Sequence, residues 1–274
     1  MERIFKDKKS QDNNKKEGKM NKRAQVTIFI IIGIVIVAAG ILIFLFWPKI
    51  SSTLAISSEN PEVFMQTCLQ DKIETTIQDL SIQGGSVNPQ HYFIYQGNKV
   101  EYLCYQEQYY LTCVVQQPML IKHIESEIKN NINEEMNSCL DSLKAAFISK
   151  GYETTLEKDD FSVQLLPKRV VVITNSTFVA KKADTTYSYG GESGLSVVLN
   201  NNIYELGTIA MSIISSEAQY GDAETTTYMN YYHDLKVEKY KQSDGTKVYI
   251  LTDRNTENKL MFASRSVAWP PGYG

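Results

Sequence analysis

The most apolar stretch of the chain covers residues 25–47 (QVTIFIIIGIVIVAAGILIFLFW) and contains no Asp, Glu, Lys, Arg or His. At about 1.5 Å of rise per residue, a helix of this length crosses the roughly 30 Å hydrocarbon core of a bilayer. A helix also satisfies every backbone N–H and C=O within one segment, as the bilayer interior requires. The stretch therefore predicts one transmembrane helix, with the lipid bilayer as its partner.

Beyond this stretch, apolar residues spaced three and four positions apart predict three helices. Asparagine and proline mark their starts and glycine marks their ends. The first begins at Asn60 and Pro61, the second runs from Pro118 to about Lys150, and the third runs from Asn202, in a capping box with Glu205, to Gly221. Residues 223–233 are compatible with another short helix.

Alternating β-branched and aromatic residues predict antiparallel strands in the rest of this region. We expect a meander over 91–115, strands over 152–183 with breaks at 159–160, 167 and 175–176, a glycine-rich loop over 189–194, and a second meander over 235–266. Helices packed on mostly antiparallel sheet form an α+β fold. The expected fold class is α+β, with an N-terminal transmembrane helix followed by one extracytoplasmic domain of antiparallel meanders and about three helices.

The pattern divides the chain into five segments. These are a disordered basic cytoplasmic tail (1–24), a transmembrane helix (25–47), a short stalk (48–58), an extracytoplasmic α+β domain (59–268) and a tail (269–274). Residues 1–24 contain too few apolar side chains to offset the entropy of ordering, which predicts their disorder.

Charge sets the orientation of the predicted span. Residues 1–24 contain nine Lys or Arg against four Asp or Glu, about +5, and the 19 Lys or Arg and 27 Asp or Glu after the span give about −8. Because basic flanks stay in the cytoplasm, the N-terminus is expected inside and the large domain outside the cell membrane. A secretory signal cleaved near residues 53–55 is the alternative. Topology accounts for the basic tail, so no nucleic-acid partner is expected.

All four cysteines follow the predicted span. An even set of cysteines on the exported side predicts two disulfides, for which three pairings are possible. The spacing favours Cys104–Cys113 across a predicted hairpin, which leaves Cys68–Cys139 to join two predicted helices. A zinc site built from the four thiolates is the alternative, although the C-x2-C spacing of such sites is absent.

Motifs for catalysis or cofactor binding are sparse. The three histidines, His91, His123 and His233, are not spaced to share a metal. Residues 126–129 (SEIK) match the S-x-x-K pattern but lack the companion motifs of the enzymes that use it. Glycine loops for phosphates or dinucleotides are absent. We predict no enzyme activity, no cofactor and no metal site, and keep an extracytoplasmic hydrolase as the second alternative.

Tyrosines are concentrated in the first predicted meander. Sheet packing accounts for many such residues, because tyrosine joins an apolar ring to a polar hydroxyl; an exposed set also forms a surface for a glycan or a partner protein. A smaller group recurs at Tyr228, Tyr231 and Tyr232. The candidate binding surface consists of Tyr92, Tyr95, Tyr102, Tyr105, Tyr109 and Tyr110.

Residues 22–33 (KRAQVTIFIIIG) resemble the opening of uncharacterised membrane proteins from small-genome archaea of the DPANN type. The motifs around Cys68, with Gly84 and Gly85 after it, and around Cys139 are similar to the outer domains of those proteins. The resemblance implies a single-pass, surface-exposed protein and assigns no functional residue.

The same opening is similar to the class III signal peptides of archaeal type IV pilin-like proteins. Lys22 and Arg23 precede Ala24, after which a prepilin peptidase would cut before Gln25. The chain has Phe29 where pilins usually have glutamate, and Pro48 interrupts the long helix of a filament core. A pilin-like filament or pseudopilin component processed after Ala24 is the first alternative function.

The leading functional prediction is a membrane-anchored cell-surface protein. Its disulfide-stabilised outer domain would act as a structural or adhesive interaction module, with surface proteins or glycans as partners. The sequon Asn175-Ser176-Thr177 falls at a predicted turn on the outer side, so Asn175 is a candidate glycosylation site.

Overall fold

The computed structural model describes residues 32–37, 60–108, 110–190 and 194–267. The chain divides into two compact units, Met1–Leu54 and Ala55–Gly274. In the second unit, helices and mainly antiparallel sheets confirm the α+β class. Its helices are α1 (Pro61–Ile82), α2 (Leu120–Ser149), α3 (Ile203–Tyr220) and α4 (Thr225–Tyr231). Its strands are β1 (Tyr92–Tyr95), β2 (Asn98–Tyr105), β3 (Val114–Val115), β4 (Glu153–Glu157), β5 (Phe161–Leu166), β6 (Arg169–Thr174), β7 (Thr177–Lys182), β8 (Thr185–Tyr189), β9 (Ser196–Asn200), β10 (Leu235–Lys241), β11 (Thr246–Asp253) and β12 (Lys259–Arg265).

Helix α1 begins as the sequence predicts. The side chain of Asn60 accepts a hydrogen bond from the backbone N–H of Glu62 at 2.8 Å, and Pro61 occupies the first turn, where a missing N–H leaves no bond unmade. The predicted apolar stripe is buried, and its members are Met65, Leu69, Ile73, Ile77 and Leu80. Helix α1 packs against the core through this face.

Both predicted disulfides are present. Cys68–Cys139 joins α1 to α2 with the two Cα atoms 6.0 Å apart, and Cys104–Cys113 joins β2 to the segment before β3. No cysteine remains free, so the zinc alternative is wrong. The first bridge lies between two helices whose buried stripes belong to one core.

The largest sheet has six strands, in the order β1-β2-β12-β11-β10 with β3 paired to β2. Only the β12–β2 pair in it is parallel, among the strands that the structure describes. One face packs against the helices, and the other carries a second small core of Val100, Tyr102, Val248, Ile250, Met261 and Ala263. The rings of Tyr95 on β1 and Tyr240 on β10 lie 5.7 Å apart. Because β1 and β10 are opposite edges, the sheet must curve around its second core.

The region 153–200 forms two three-stranded antiparallel sheets, β4-β7-β8 and β5-β6-β9. Three successive passes of the chain build both sheets, and each pass bends where it leaves one sheet for the other. At the predicted breaks, the buried hydroxyl of Ser176 accepts hydrogen bonds from Asp159 N (3.0 Å) and Thr174 Oγ1 (2.8 Å). In the third pass, a Cβ at Gly194 would overlap the carbonyl oxygen of Thr174, so only glycine fits there.

One local expectation is wrong, and two strands were not predicted. The capping box at the start of α3 does not form: Asn201 Oδ1 accepts from Ile203 N instead, and Glu205 accepts from Lys168 N, 37 residues earlier. Strands β8 and β9 lie on either side of the predicted loop 189–194, and neither strand was predicted. In β9 three apolar residues stand in a row instead of alternating with polar ones, so spacing alone does not identify it as a half-buried strand.

Most of the predicted N-terminal segments lie outside the described residues. This holds for the tail, the stalk, residues 22–25 of the processing motif and all of the span 25–47 except 32–37, which are helical with exposed side chains. Residues 269–274 also lie outside. Within the part of the chain that is described, no helix combines the length and the apolar character needed to cross a membrane.

Candidate functional site

The tyrosines of the first meander do not share one exposed face. Tyr102 is buried, and its hydroxyl lies 2.8 Å from Thr246 Oγ1. Tyr95 packs on Tyr240, and the ring of Tyr105 lies against Tyr102. These three rings belong to the second core of the sheet or to its rim, so Tyr102 in particular is not available to a ligand.

Two of the other predicted tyrosines are more open. Tyr92 is 37% exposed and Tyr110 is 58% exposed, whereas Tyr109 lies outside the described residues. For these positions, ligand binding stays a prediction. The glycosylation candidate Asn175 has an exposed side chain in the turn between β6 and β7, and its modification also stays a prediction.

A second group of tyrosines surrounds a shallow cleft of about 630 Å³ where α3 ends and α4 begins. Tyr220, Tyr231 and Tyr232 are 64%, 80% and 54% exposed. We call this feature the tyrosine cleft; its lining residues are Ser212, Ser216, Tyr220, Asp222, Glu224, Thr227, Tyr228, Tyr231 and Tyr232. The sequence showed the recurrence of Tyr228, Tyr231 and Tyr232, but it did not bring Tyr220 or the serines to them.

Short contacts fix the walls of the tyrosine cleft. The hydroxyl of Tyr228 lies 3.0 Å from Ser212 Oγ and 3.5 Å from Ser216 Oγ, which holds α4 against α3. Glu224 caps α4 by accepting from the backbone N–H of Thr226 at 2.9 Å. Tyr220 and Tyr231, the last residues of α3 and α4, therefore lie on helices held in place, and Tyr232 directly follows α4.

Asp222, which lies between α3 and α4, is held by three lysines. Asp222 contacts the Nζ atoms of Lys239 at 2.9 Å, Lys247 at 3.3 Å and Lys241 at 3.6 Å. Burial opposes the charge of Asp222, but the hydrogen bond from Lys239 and the fields of the three lysines lower its pKa to about 2. A carboxyl group with a lowered pKa stabilises the fold at neutral pH, and this contribution is lost only as the pH falls from about 4 towards 2.

Beneath Asp222 lies a buried ion pair. The carboxylate of Glu217 on α3 is fully buried and accepts hydrogen bonds from Lys247 Nζ at 2.7 Å, from Ser264 Oγ at 2.9 Å and from the hydroxyl of Tyr249. Burial raises the pKa of Glu217, with Lys247 opposing the shift. Lys247 also donates to the carbonyl oxygen of Gly221 at 2.5 Å, so β11 holds the end of α3 directly below the cleft.

The hydrolase alternative requires a serine activated by a histidine. Ser86 Oγ lies 2.7 Å from His123 Nε2, and the Ser86 hydroxyl also contacts the carboxylate of Glu101, whose pKa burial raises. In a catalytic triad the acid orients the histidine, whereas here both groups contact the serine itself. Ser86 is buried at 5% exposure. The cluster joins the loop after α1 to β2 and α2, and it presents no nucleophile to a substrate.

Among the described residues, a metal site is no better supported than a hydrolase site. In the described part of the chain, three side chains of metal-ligating types lie close together: Cys68, Glu135 and Cys139. Both cysteines are in a disulfide. His91 packs against the rings of Tyr102 and Tyr105.

No family model matches this chain, and no curated protein or solved structure matches it. Its function must therefore be inferred from the chemistry of its own surface.

Proposed function

We propose that the chain is a membrane-anchored cell-surface protein whose disulfide-bridged domain is an adhesive interaction module. The tyrosine cleft is its contact surface, and the partner is another surface protein. The observation that carries this proposal is the exposure of Tyr220, Tyr231 and Tyr232 around one cleft, at the ends of two helices that hydrogen bonds hold together.

The composition of the cleft supports protein recognition. Four tyrosines, two serines and one threonine line it. Antibody paratopes use the same residue types, because tyrosine supplies a large amphipathic contact area at little entropic cost and serine supplies adaptable hydrogen bonds. Tyrosine is also enriched among the residues that dominate binding energy at interfaces.

The membrane anchor in this proposal rests on the uncharged stretch 25–47 and on the basic residues before it. Two disulfides fit an oxidising compartment outside the cytoplasm, where such bonds persist. Anchoring near other surface proteins would also raise the effective concentration of a weak binding module.

Replacing Tyr231 or Tyr232 with alanine is expected to weaken partner binding at least about 30-fold, the effect of losing an interface hot spot of roughly 2 kcal/mol. Fold stability should hardly change, since both side chains are mostly exposed. The measurement titrates labelled segment 55–274 onto intact cells of the source organism. Protease treatment of those cells should abolish the tyrosine-dependent binding, and periodate oxidation of their glycans should not.

Two comparisons make this test specific. Tyr92→Ala and Tyr110→Ala remove exposed tyrosines of the first meander and should leave binding unchanged. If these variants lose binding while Tyr231→Ala retains it, the contact surface is the first meander and the tyrosine cleft is the wrong site. Periodate-sensitive binding would identify a glycan rather than a protein as the partner.

The proposed membrane anchor and its orientation are tested separately. The full chain should stay in the membrane pellet after alkaline carbonate extraction, while segment 55–274 expressed alone should be released. Protease added to intact cells should remove the described domain and leave a fragment that contains the basic tail. Release of the full chain by carbonate, or protection of the domain in intact cells, would contradict the proposed anchoring and orientation.

A further inference from the structure

After β12, the chain passes the end of α3, where the tyrosine cleft lies. Ser266 Oγ donates to the carbonyl oxygen of Glu217 at 2.8 Å and accepts from the backbone N–H of Cys113 at 2.9 Å. Glu217 lies three residues, about 4.5 Å along the helix axis, before Tyr220, the last residue of α3 and part of the cleft lining. Ser266 therefore holds the chain beside the cleft.

The segment that comes next, residues 268–274 (AWPPGYG), lies outside the described residues. Its seven residues span at most about 25 Å when fully extended. Because Ser266 already contacts the last turns of α3, little of this length is needed to arrive at the cleft. The segment is therefore long enough to lie across the tyrosine cleft of its own chain.

The composition of segment 268–274 suits a groove lined by aromatic rings. Pro270 and Pro271 favour the polyproline II conformation, which has no internal hydrogen bonds and is restricted before binding. Proline-rich segments of this kind bind aromatic-lined grooves in several classes of recognition domain. Trp269 and Tyr273, on either side of the prolines, add large rings whose burial stabilises a contact.

The tyrosine cleft has the groups that such a segment needs. Tyr220, Tyr231 and Tyr232 are exposed, and within the described part of the chain their hydroxyls make no hydrogen bond. These hydroxyls are free to donate to the main-chain carbonyl groups that a polyproline II segment leaves unpaired. The cleft volume of about 630 Å³ also falls within the roughly 300–1,000 Å³ of typical ligand pockets.

Charge does not select a different ligand for the cleft. Asp222 is already paired with three lysines, and Glu224 accepts from the backbone of Thr226 and is exposed to solvent, which screens its charge. Among the described residues, no lysine or arginine lines the cleft to attract an anion. Segment 268–274 has no charged side chain. An uncharged occupant with several rings therefore matches the lining.

We propose that segment 268–274 docks in the tyrosine cleft of its own chain and competes there with the surface partner. Docking depends only on the segment and the cleft, whereas the competition rests on the proposed function. A short tether gives an effective concentration of about 1 mM. A contact with a dissociation constant of about 0.1–1 mM then fills roughly half to nine-tenths of the clefts and weakens partner binding about two- to tenfold.

The fluorescence of Trp269 tests docking without any partner. The chain contains two tryptophans, so the full chain with Trp47→Phe, in detergent micelles, reports on Trp269 alone. Compared with the free peptide 266–274 in the same micelles, its emission should lie at shorter wavelength and acrylamide should quench it less. Tyr231→Ala should remove this protection, whereas Tyr92→Ala, which removes an exposed tyrosine away from the cleft, should keep it.

The cell-binding measurement tests the competition. Removing residues 268–274 from segment 55–274 should raise its affinity for the cells about two- to tenfold, because every cleft is then open. The same removal should leave the affinity of Tyr231→Ala unchanged, since that variant has already lost the docking contact. If the removal changes the parent chain and the variant equally, or changes neither, segment 268–274 does not compete for the cleft.

The docking proposal is overturned if acrylamide quenches Trp269 in the full chain as readily as in the free peptide. It is also overturned if dilution of the full chain removes the protection, because the segment would then lie in the cleft of another copy. Protected Trp269 without any binding to cells would support docking and contradict the proposed function. Tyrosine-dependent binding to cells with an unprotected Trp269 would support the proposed function and contradict docking.

Discussion

Replacing Lys247 with methionine is expected to lower the free energy of unfolding by about 3–5 kcal/mol, because it leaves the carboxylate of Glu217 charged and unpaired in the core. The two side chains are 6% and 0% exposed, so solvent does not screen the loss. Methionine keeps the length and apolar character of the lysine stem. Urea unfolding of segment 55–274, followed by circular dichroism, measures the change.

A second substitution tests the cause. Adding Glu217→Gln to Lys247→Met removes the stranded charge and keeps a polar partner for Tyr249 and Ser264, so most of the lost stability should return. If the double variant is no more stable than Lys247→Met alone, packing rather than charge explains the loss. Lys236→Met is the matched control, because its ion pair with Glu238 is 49% and 28% exposed and is worth about 1 kcal/mol or less.

The pH dependence of Lys247→Met has a defined sign. Burial raises the pKa of Glu217, and loss of the lysine removes the group that opposes this shift. A carboxyl group with a raised pKa binds its proton more tightly in the folded state, so folding is favoured at low pH and loses stability as the pH rises. The variant should therefore come closest to the parent chain in mildly acidic solution.

Removal of the Cys68–Cys139 bridge should lower the free energy of unfolding by about 4 kcal/mol, against about 2.5 kcal/mol for Cys104–Cys113. The first bridge closes a loop with a sequence separation of 71 and the second a loop with a separation of 9, and a longer closed loop restricts the unfolded chain more. The variants replace both cysteines of a pair with alanine, so that no free thiol remains. Urea unfolding of the two double variants gives the comparison.

The decisive result is which of the two disulfides costs more stability when it is removed. Equal costs, or a larger cost for the short loop, would show that the local packing of the sulfur atoms outweighs chain entropy. That outcome is physically meaningful, since Cys113 contacts the hydroxyl of Ser264 beside the buried Glu217. Both variants should be compared in oxidising buffer, where the remaining bridge stays intact.

Local patterns in the sequence predicted most helices and strands. Asn60 and Pro61 predict the start of α1 because they satisfy the first turn locally, and the periodic apolar residues of α2 predict its buried face. The predicted breaks at residues 159–160 and 175–176 are bends in which side-chain oxygens bond to nearby backbone: Asp159 Oδ1 accepts from Asp160 N, and Thr174 Oγ1 accepts from Ser176 N. These features depend on residues a few positions apart.

The candidate site depended on contacts between distant residues. Glu217 lies on the apolar face of α3, and only the approach of Lys247, 30 residues later, explains a carboxylate there. The sequence does not distinguish Tyr102 from Tyr231, yet Tyr102 is buried in the second core of the large sheet, whereas Tyr231 on α4 is 80% exposed. Nor did local spacing pair Asn202 with Asp253 or Glu205 with Lys168.

The sequence by itself determined the α+β class, the boundaries of most elements, an even set of cysteines and an uncharged stretch long enough to span a bilayer. Periodicity, capping and charge depend on residues close together in the chain, so the amino-acid sequence alone shows them. Only the tertiary structure decided which strands are neighbours, which tyrosines face solvent, and which distant polar groups meet. Those outcomes follow from packing between elements far apart in the chain, which no local pattern encodes.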